Sequence, residues 1–219
     1  MSSHLTQPAQ YLSAQLSDLI ERVRDGMPAE AIVAELQAAL EGLREIAAHD
    51  ELTGALNRRG LLQRLQEELT RARRTGHPFS LAVVAIDDGD AIAAHHGSEL
   101  ADQVLRRFAQ AALTLLRSLD TVGRIDRHVF AIILPTTWLD QSDRAIARLA
   151  AAISAVDWSA LAPALTISFA SGVTTNAPDD GADSMLQRAG EALRQAQSQG
   201  RGACVQLELA LPDIDPDSL

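Results

Sequence analysis

The chain has 219 residues, 47% of them hydrophobic and only 3% aromatic. That length exceeds one typical domain of roughly 100 to 200 residues and falls short of two, and the composition supplies a core of Leu, Ala, Ile and Val rather than a disordered coil. With 29 acids against 19 bases the net charge is −10, which disfavours a nucleic-acid footprint, and every base is arginine, which removes P-loop lysines, Schiff bases and lysine general bases together.

Two helical patterns come first. Leu12, Leu16, Leu19, Ile20 and Val23 recur at three- and four-residue spacing, and Asp25-Gly26-Met27-Pro28 stops this helix and puts a proline near the start of the next. The second helix is predicted to run to about Ala48. Its apolar stripe, Ile32, Val33, Leu36, Leu40, Leu43 and Ile46, is covered only in part by a two-helix hairpin. Residues 1–48 therefore form either a hairpin packed on the main domain or a unit that dimerises or engages a protein partner.

From His49 onward helices alternate with strands. A helix is expected over Asn57 to Arg74, carrying Leu61, Leu62, Leu65 and Leu69, then a buried central strand over Phe79 to Ile86. Next come a helix from about Ser98 to Arg117 and two strand-like runs, Thr121 to Ile125 and Val129 to Leu134, close enough to form a hairpin that Pro135 ends. A helix over Leu139 to Val156, a strand over Ala164 to Val173, a helix over Ser184 to Ser198 and a last strand near Ala203 to Leu209 complete the order. The expected fold class is α/β, a mixed β-sheet flanked by helices with an N-terminal helical hairpin. The segment 207–219, with Asp213, Asp215, Asp217 and two prolines, reads as an acidic tail.

Cys204 is the only cysteine, so neither an intrachain disulfide nor a thiolate zinc cluster can form. The apolar runs Leu81 to Ile86 and Val129 to Leu134 are far shorter than the ~20 residues of a membrane span. Met1 to Gln10 carries no signal-peptide pattern, so a soluble, cytoplasmic protein without membrane insertion is expected. His49, His77, His95 and His96 follow no zinc or triad spacing and read as surface residues. Arg58, Arg59, Arg64, Arg71, Arg73 and Arg74 are interrupted by Glu67 and Glu68 and read as a solvated helix face, not a nucleic-acid site.

Asp50-Glu51-Leu52-Thr53-Gly54-Ala55-Leu56-Asn57-Arg58-Arg59 resembles the opening motif of the GGDEF domain, the diguanylate cyclase fold of bacterial signalling. The likeness continues through Pro78, Ala85-Ile86-Asp87, Leu105-Arg106, the segment Leu116 to Arg124, the strand Phe130 to Pro135 and Gly200-Arg201. It covers His49 to Cys204 and implies a GGDEF domain over residues 49–206.

The same resemblance places the name-giving turn at Asp126-Arg127-His128-Val129-Phe130, where only the phenylalanine remains. In the family, two glycines let the backbone pass close to the nucleotide and an acidic residue after them binds a divalent metal. Here Asp126 and Arg127 replace the glycines, and His128 and Val129 replace the acids. The first Asp of the family's Asp-Ile-Asp strand end corresponds to Ala85, its guanine-reading Asn to Ala93 and a phosphate-contacting Lys to Gln197. Asp102 matches a retained guanine contact. The loop Asp87-Asp88-Gly89-Asp90 would repel a triphosphate, fits no calcium-loop spacing and reads as a solvated strand end. The expectation is a protein that lacks cyclase activity and uses no cofactor.

An inhibitory site of the family is marked by Arg-x-x-Asp nine residues before the first glycine, and Arg117-Ser118-Leu119-Asp120 keeps that register ahead of Asp126. A further family arginine matches Arg148. A guanidinium fork suits the O6/N7 edge of guanine, a carboxylate accepts from its N1 and N2 protons, and a second arginine meets phosphate. Arg117, Asp120 and Arg148 are thus the candidate ligand-binding residues for cyclic di-GMP. Three functions remain open: a cyclic di-GMP receptor that relays binding to a partner or oligomer, a ligand-independent interaction scaffold or dimerisation module, and a residual GTP-sensing enzyme resting on Asp102 and Asp87.

Overall fold

A computed structural model describes residues 17–18, 20–24, 28–115 and 120–209. Helix α1, Ala29–Ile46, leads through the turn at Asp50 to a two-residue strand β1, Leu56–Asn57, and helix α2, Arg58–Thr75. Strand β2, Phe79–Ile86, is followed by a short helix α3, Gly89–His96, and a longer one, α4, Ser98–Leu115. The hairpin of β3, Thr121–Asp126, and β4, Val129–Pro135, precedes α5, Leu139–Ala155. Strand β5, Phe169–Thr175, helix α6, Ala182–Gln199, and strand β6, Cys204–Gln206, complete the domain.

The six strands form one sheet in the order β1-β3-β4-β2-β5-β6. Strand β2 lies antiparallel to both β4 and β5, whereas the outer pairs β1–β3 and β5–β6 are parallel. All eight residues of β2 are buried, because its alternate side chains enter two different cores. Ala82, Val84 and Ile86 pack with Val104, Phe108, Leu149 and Ile153 on the side of α4 and α5. Leu81, Val83 and Ala85 pack with Leu61, Leu65, Leu69 and Leu193 on the side of α2 and α6. The scarce aromatics are concentrated in the first core, with the Phe108 ring centroid 5.0 Å from Phe130 and 5.7 Å from Phe169.

Most predicted elements form within a few residues of their expected limits, because three- and four-residue apolar spacing marks the helix faces while short length, flanking breakers and β-branched content mark the buried strands. Asn57 itself caps α2: its Oδ1 accepts from the Gly60 N–H at 3.0 Å. Helix α3 and strand β1 were not foreseen, being too short to show a period. The strand expected from Ala164 begins only at Phe169. Ala164 adopts a left-handed φ of 61°, and Leu161 and Leu165 N–H groups turn back onto Trp158 and Ala162 carbonyls, so the chain before Phe169 is curled. The expected extension of α4 to Arg117, the first-helix positions Leu12, Leu16 and Leu19, and the tail beyond Leu209 lie outside the described residues.

Helix α6 is fastened to the sheet by a buried ion pair. Arg188 Nη1 and Nη2 donate to the two Asp180 carboxylate oxygens at 2.9 and 2.6 Å, Nε donates to Thr174 Oγ1, and Nη2 also reaches the Thr175 carbonyl. Burial pushes the Asp180 carboxyl up, but the Arg188 hydrogen bonds, the Ala177 N–H, the Arg188 charge and the Ser184 hydroxyl outweigh it and hold the group below the usual carboxylate range.

On α1, Val33, Leu36 and Leu40 are 53%, 41% and 53% exposed, so this face is not packed on the sheet domain. Ile20 and Val23 are likewise exposed, and Arg22 donates twice to the Glu35 carboxylate, at 2.9 and 2.5 Å, linking the preceding helical residues to α1.

Candidate functional site

Two regions hold the residues singled out by sequence. The first lies where β2 ends beside the β3–β4 turn. Ala85 pairs with Val129, and the Ile86 N–H donates to the His128 carbonyl at 3.0 Å. The turn itself needs no glycine: neither Asp126, Arg127 nor His128 has a positive φ, and the Asp126 side chain accepts from the Arg127 N–H at 2.8 Å. A register irregularity between Arg124 and Asp126 absorbs the geometry instead.

The His128 imidazole lies directly over Gly89. A Cβ added at Gly89 would meet His128 Cγ at 2.5 Å and its Cβ at 2.9 Å, so the missing side chain at 89 makes room for the ring at 128. Sequence reasoning placed His128 at a family acid position but did not show that its ring fills the space left open by Gly89.

In the acidic loop Asp88 and Asp90 are exposed, as expected, but Asp87 is half-buried and corrects the expectation of a wholly solvated strand end. The Asp87 carboxylate accepts from Ser168 Oγ at 2.6 Å and from the Gly202 N–H at 3.0 Å. Asp88, at φ 55°, pairs with Arg201 at 3.1 Å, and Asp90 lies 3.3 Å from His128 Nε2 and 3.9 Å from Arg127. Carboxylates from one loop thus link the start of β5, the α6–β6 turn and the β3–β4 turn. His95 and His96 are exposed, as expected, and border a cleft of about 300 Å³ with Asp87, Asp88 and Arg201.

Arg124 connects this region to the start of the domain. Its Nη1 contacts both Asp50 carboxylate oxygens at 3.2 and 3.3 Å, while its Nη2 donates to the Arg127 carbonyl at 2.8 Å. Asp50 Oδ1 also accepts from the Thr53 N–H and hydroxyl. The turn that follows α1 is therefore held directly to the β3–β4 turn.

The second region lies between α4, α5 and the start of β3. Asp120 and Arg148 line one cleft of about 180 Å³ together with Leu115, Leu134, Thr137, Gln141, Arg144 and Ala145. Arg148 Nη2 donates across it to the Leu115 carbonyl at 3.4 Å, at the end of α4. Asp120 also lines a groove of about 580 Å³ on its other side, shared with Arg64 and Arg71 of α2. Arg117 lies outside the described residues. Sequence reasoning missed Arg144 and Gln141, although their spacing to Arg148 on a helix, four and seven residues, places all three on neighbouring turns.

A separate groove of about 610 Å³ runs between α5 and the outer strands, lined by Ile146, Ala150, Phe169 and Cys204 among others. Burial pushes the Cys204 thiol up, with the Ser171 hydrogen bond opposing and Asp143 adding to the rise, so it is a poor thiolate.

A mixed sheet with β2 at its centre, helices on both faces and a β3–β4 hairpin turn beside the end of β2 is the architecture of a GGDEF-type α/β domain. The chain belongs to the diguanylate cyclase GGDEF-domain family, which matches residues 47–203. It is 31% identical over 204 residues to the diguanylate cyclase DgcP of Pseudomonas aeruginosa, which covers 92% of this chain but 30% of DgcP. Its fold matches the diguanylate cyclase SiaD of Pseudomonas aeruginosa, solved in complex with its activator SiaC, with a TM-score of 0.71 and 28% identity over 93% of this chain and 76% of that one. A microbial GGDEF domain solved for its interaction with cyclic di-GMP matches with a TM-score of 0.66 and 27% identity, over 75% of this chain and 99% of that one. No helix among the described residues is long and apolar enough to cross a membrane.

Proposed function

We propose that this chain is a GGDEF domain that has given up cyclisation and binds cyclic di-GMP in the Asp120–Arg144–Arg148 cleft, with Arg117 completing the site. The observation that carries the ligand reading is convergence: Asp120 at the head of β3 and Arg148 on α5, 28 positions apart, line the same cleft. A carboxylate for the N1 and N2 protons of guanine, guanidinium groups for its O6/N7 edge and for phosphate are the groups such a ligand needs. The likeness to a GGDEF domain solved with cyclic di-GMP supports the choice of ligand.

The loss of catalysis rests on the first region. Two-metal phosphoryl transfer needs hard oxygen donors at the nucleotide cleft. The corresponding positions hold the methyl of Ala85, the imidazole of His128 and the isopropyl of Val129, and Asp87 is engaged by Ser168 and Gly202. These groups do not fit a pair of magnesium ions, and the His128 ring fills space over Gly89. Occupancy of the cleft is relayed to a protein partner or second copy through the exposed Val33, Leu36 and Leu40 of α1. The activator complex of SiaD is a precedent for a protein partner in this family.

Calorimetry with cyclic di-GMP, and a turnover assay with GTP and magnesium or manganese, test the reading together. Saturable cyclic di-GMP binding that Asp120→Ala and Arg148→Ala each weaken by about tenfold or more supports it, a loss in keeping with charge-assisted hydrogen bonds. Robust formation of cyclic dinucleotide from GTP overturns the inactive assignment, and binding unchanged in Arg148→Ala overturns the site.

A further inference from the structure

We propose that Trp138 is the platform on which a guanine base of cyclic di-GMP stacks, an inference that rests on the ligand reading above. Among the described residues, Trp138 is an aromatic side chain left 58% exposed, in a protein with very few aromatics. The other tryptophan, Trp158, is 4% exposed and its Nε1 donates to the Ile153 carbonyl at 2.7 Å, so it has the apolar cover and polar partner that an indole normally finds. Trp138 precedes the first residue of α5 and is its N-cap position.

Its place in the chain sets it beside the cleft. Positions 141, 145 and 148 fall on one stripe of α5, and the Gln141 N–H bonds the Trp138 carbonyl. Gln141, Ala145 and Arg148 line the cleft, as does Thr137, the neighbour of Trp138 in the chain. Trp138 therefore stands in the chain between two residues of that wall, Thr137 and Gln141, with its side chain exposed.

The volume of the cleft decides why a platform is needed. About 180 Å³ is well below the ~300–1,000 Å³ of pockets that enclose drug-sized ligands, and a cyclic dinucleotide is at least that large. Carboxylate and guanidinium groups can hold edges and phosphate, but the flat faces of a base must lie across the rim. An indole at the rim covers such a face, and stacking of this kind is independent of edge recognition.

The platform is also held before ligand arrives. Thr136 has a left-handed φ of 50°, and Thr137 Oγ1 donates to the Pro135 carbonyl at 3.0 Å. Buried Ser80 donates to the Thr137 carbonyl at 2.9 Å, and the Gln141 and Ser142 N–H groups both bond the Trp138 carbonyl at 3.0 Å. A backbone fixed on both sides reduces the ordering that binding would otherwise require.

The two tryptophans make the test direct, since buried Trp158 serves as an internal reference for exposed Trp138. Acrylamide quenching of the full chain is followed during titration with cyclic di-GMP, alongside calorimetry on wild type, Trp138→Ala, Trp138→Phe and Arg148→Ala. The expected results are shielding of Trp138 by ligand, a Kd raised about tenfold in Trp138→Ala, partial recovery in Trp138→Phe, and unchanged thermal unfolding of both tryptophan variants. If wild type binds and Arg148→Ala weakens binding, while Trp138→Ala binds as wild type and no shielding occurs, the platform is refuted and the cleft stands. If wild type shows no binding by calorimetry, the ligand reading falls and the platform with it.

Discussion

Replacing Arg188 by methionine keeps the length of the side chain and removes its charge and donors. In the native domain the Arg188 side chain is 12% exposed and that of Asp180 is 4% exposed. The substitution leaves a carboxylate stripped of its two guanidinium bonds, with only the Ala177 N–H and the Ser184 hydroxyl remaining, and it removes the Nη2 bond to the Thr175 carbonyl. Removing one partner of a buried pair costs about 3–5 kcal/mol because the other charge stays buried. That is a large part of the roughly 5–15 kcal/mol that holds a domain folded. With a urea dependence of about 1–3 kcal/mol per molar, Arg188→Met is expected to lower the unfolding midpoint by about 2 M, read by far-UV circular dichroism at neutral pH. The pH dependence supplies a second check. Asp180 is held below its unfolded value in the native state, so its stabilisation is complete above the ordinary carboxylate pKa of about 4 and is lost as pH falls through the lower native value. Without Arg188, burial favours the protonated acid, so the deficit of Arg188→Met narrows on acidification below about pH 4. A midpoint within about 0.3 M of wild type, or a deficit that stays constant through that acid range, would refute the argument.

Two further outcomes test the rearranged turn. Gly89→Ala forces a Cβ against the His128 ring close to its own backbone, so it is expected to cost about 1–3 kcal/mol as overpacking does. His128→Ala in the same chain should recover most of that loss, and additive thermal-unfolding effects of the two changes would show that the side chains do not share space. Arg124→Ala breaks the contacts to Asp50 and to the Arg127 carbonyl, the Arg124 and Asp50 side chains both being less than a quarter exposed. Loss of charge-assisted bonds worth about 1.5–3 kcal/mol should raise hydrogen exchange at the Thr53 and Gly54 amides, and unchanged exchange there would mean the turn after α1 holds without Arg124.

The Arg124 link bears on how the helices at the start of the chain communicate with the domain. Asp50 follows α1 in the chain, and Arg124 joins it to the turn that carries His128, which in turn covers Gly89. Arg124 is thus the side chain that ties the turn after α1 to the β3–β4 turn beside Gly89. The Asp120–Arg148 cleft lies at the other end of β3 from Arg124, so the two regions share one strand.

Much of this architecture is written in local pattern. The apolar run from Leu81 to Ile86 marks a strand buried on both faces, because it is too short for a helix and carries the β-branched Val83, Val84 and Ile86. The leucine spacing of α2 and the apolar stripe of α5 likewise determine helices, and the register of Arg117 and Asp120 ahead of Asp126 is visible in a bare sequence. Short elements such as α3 and β1 are not, since a few residues carry no period and their conformation is set by neighbours. Ala164 to Ser168 shows the reverse case, where apolar content favours a strand but a left-handed residue and turn hydrogen bonds keep the chain curled. Tertiary structure alone decided that Asp87, Asp88 and Asp90 are partnered, that His128 fills the space over Gly89 and that Arg144 shares a cleft with Asp120. Each of these depends on atoms brought together from distant parts of the chain, and sequence pattern reports the direction in which a side chain points but not what stands opposite it.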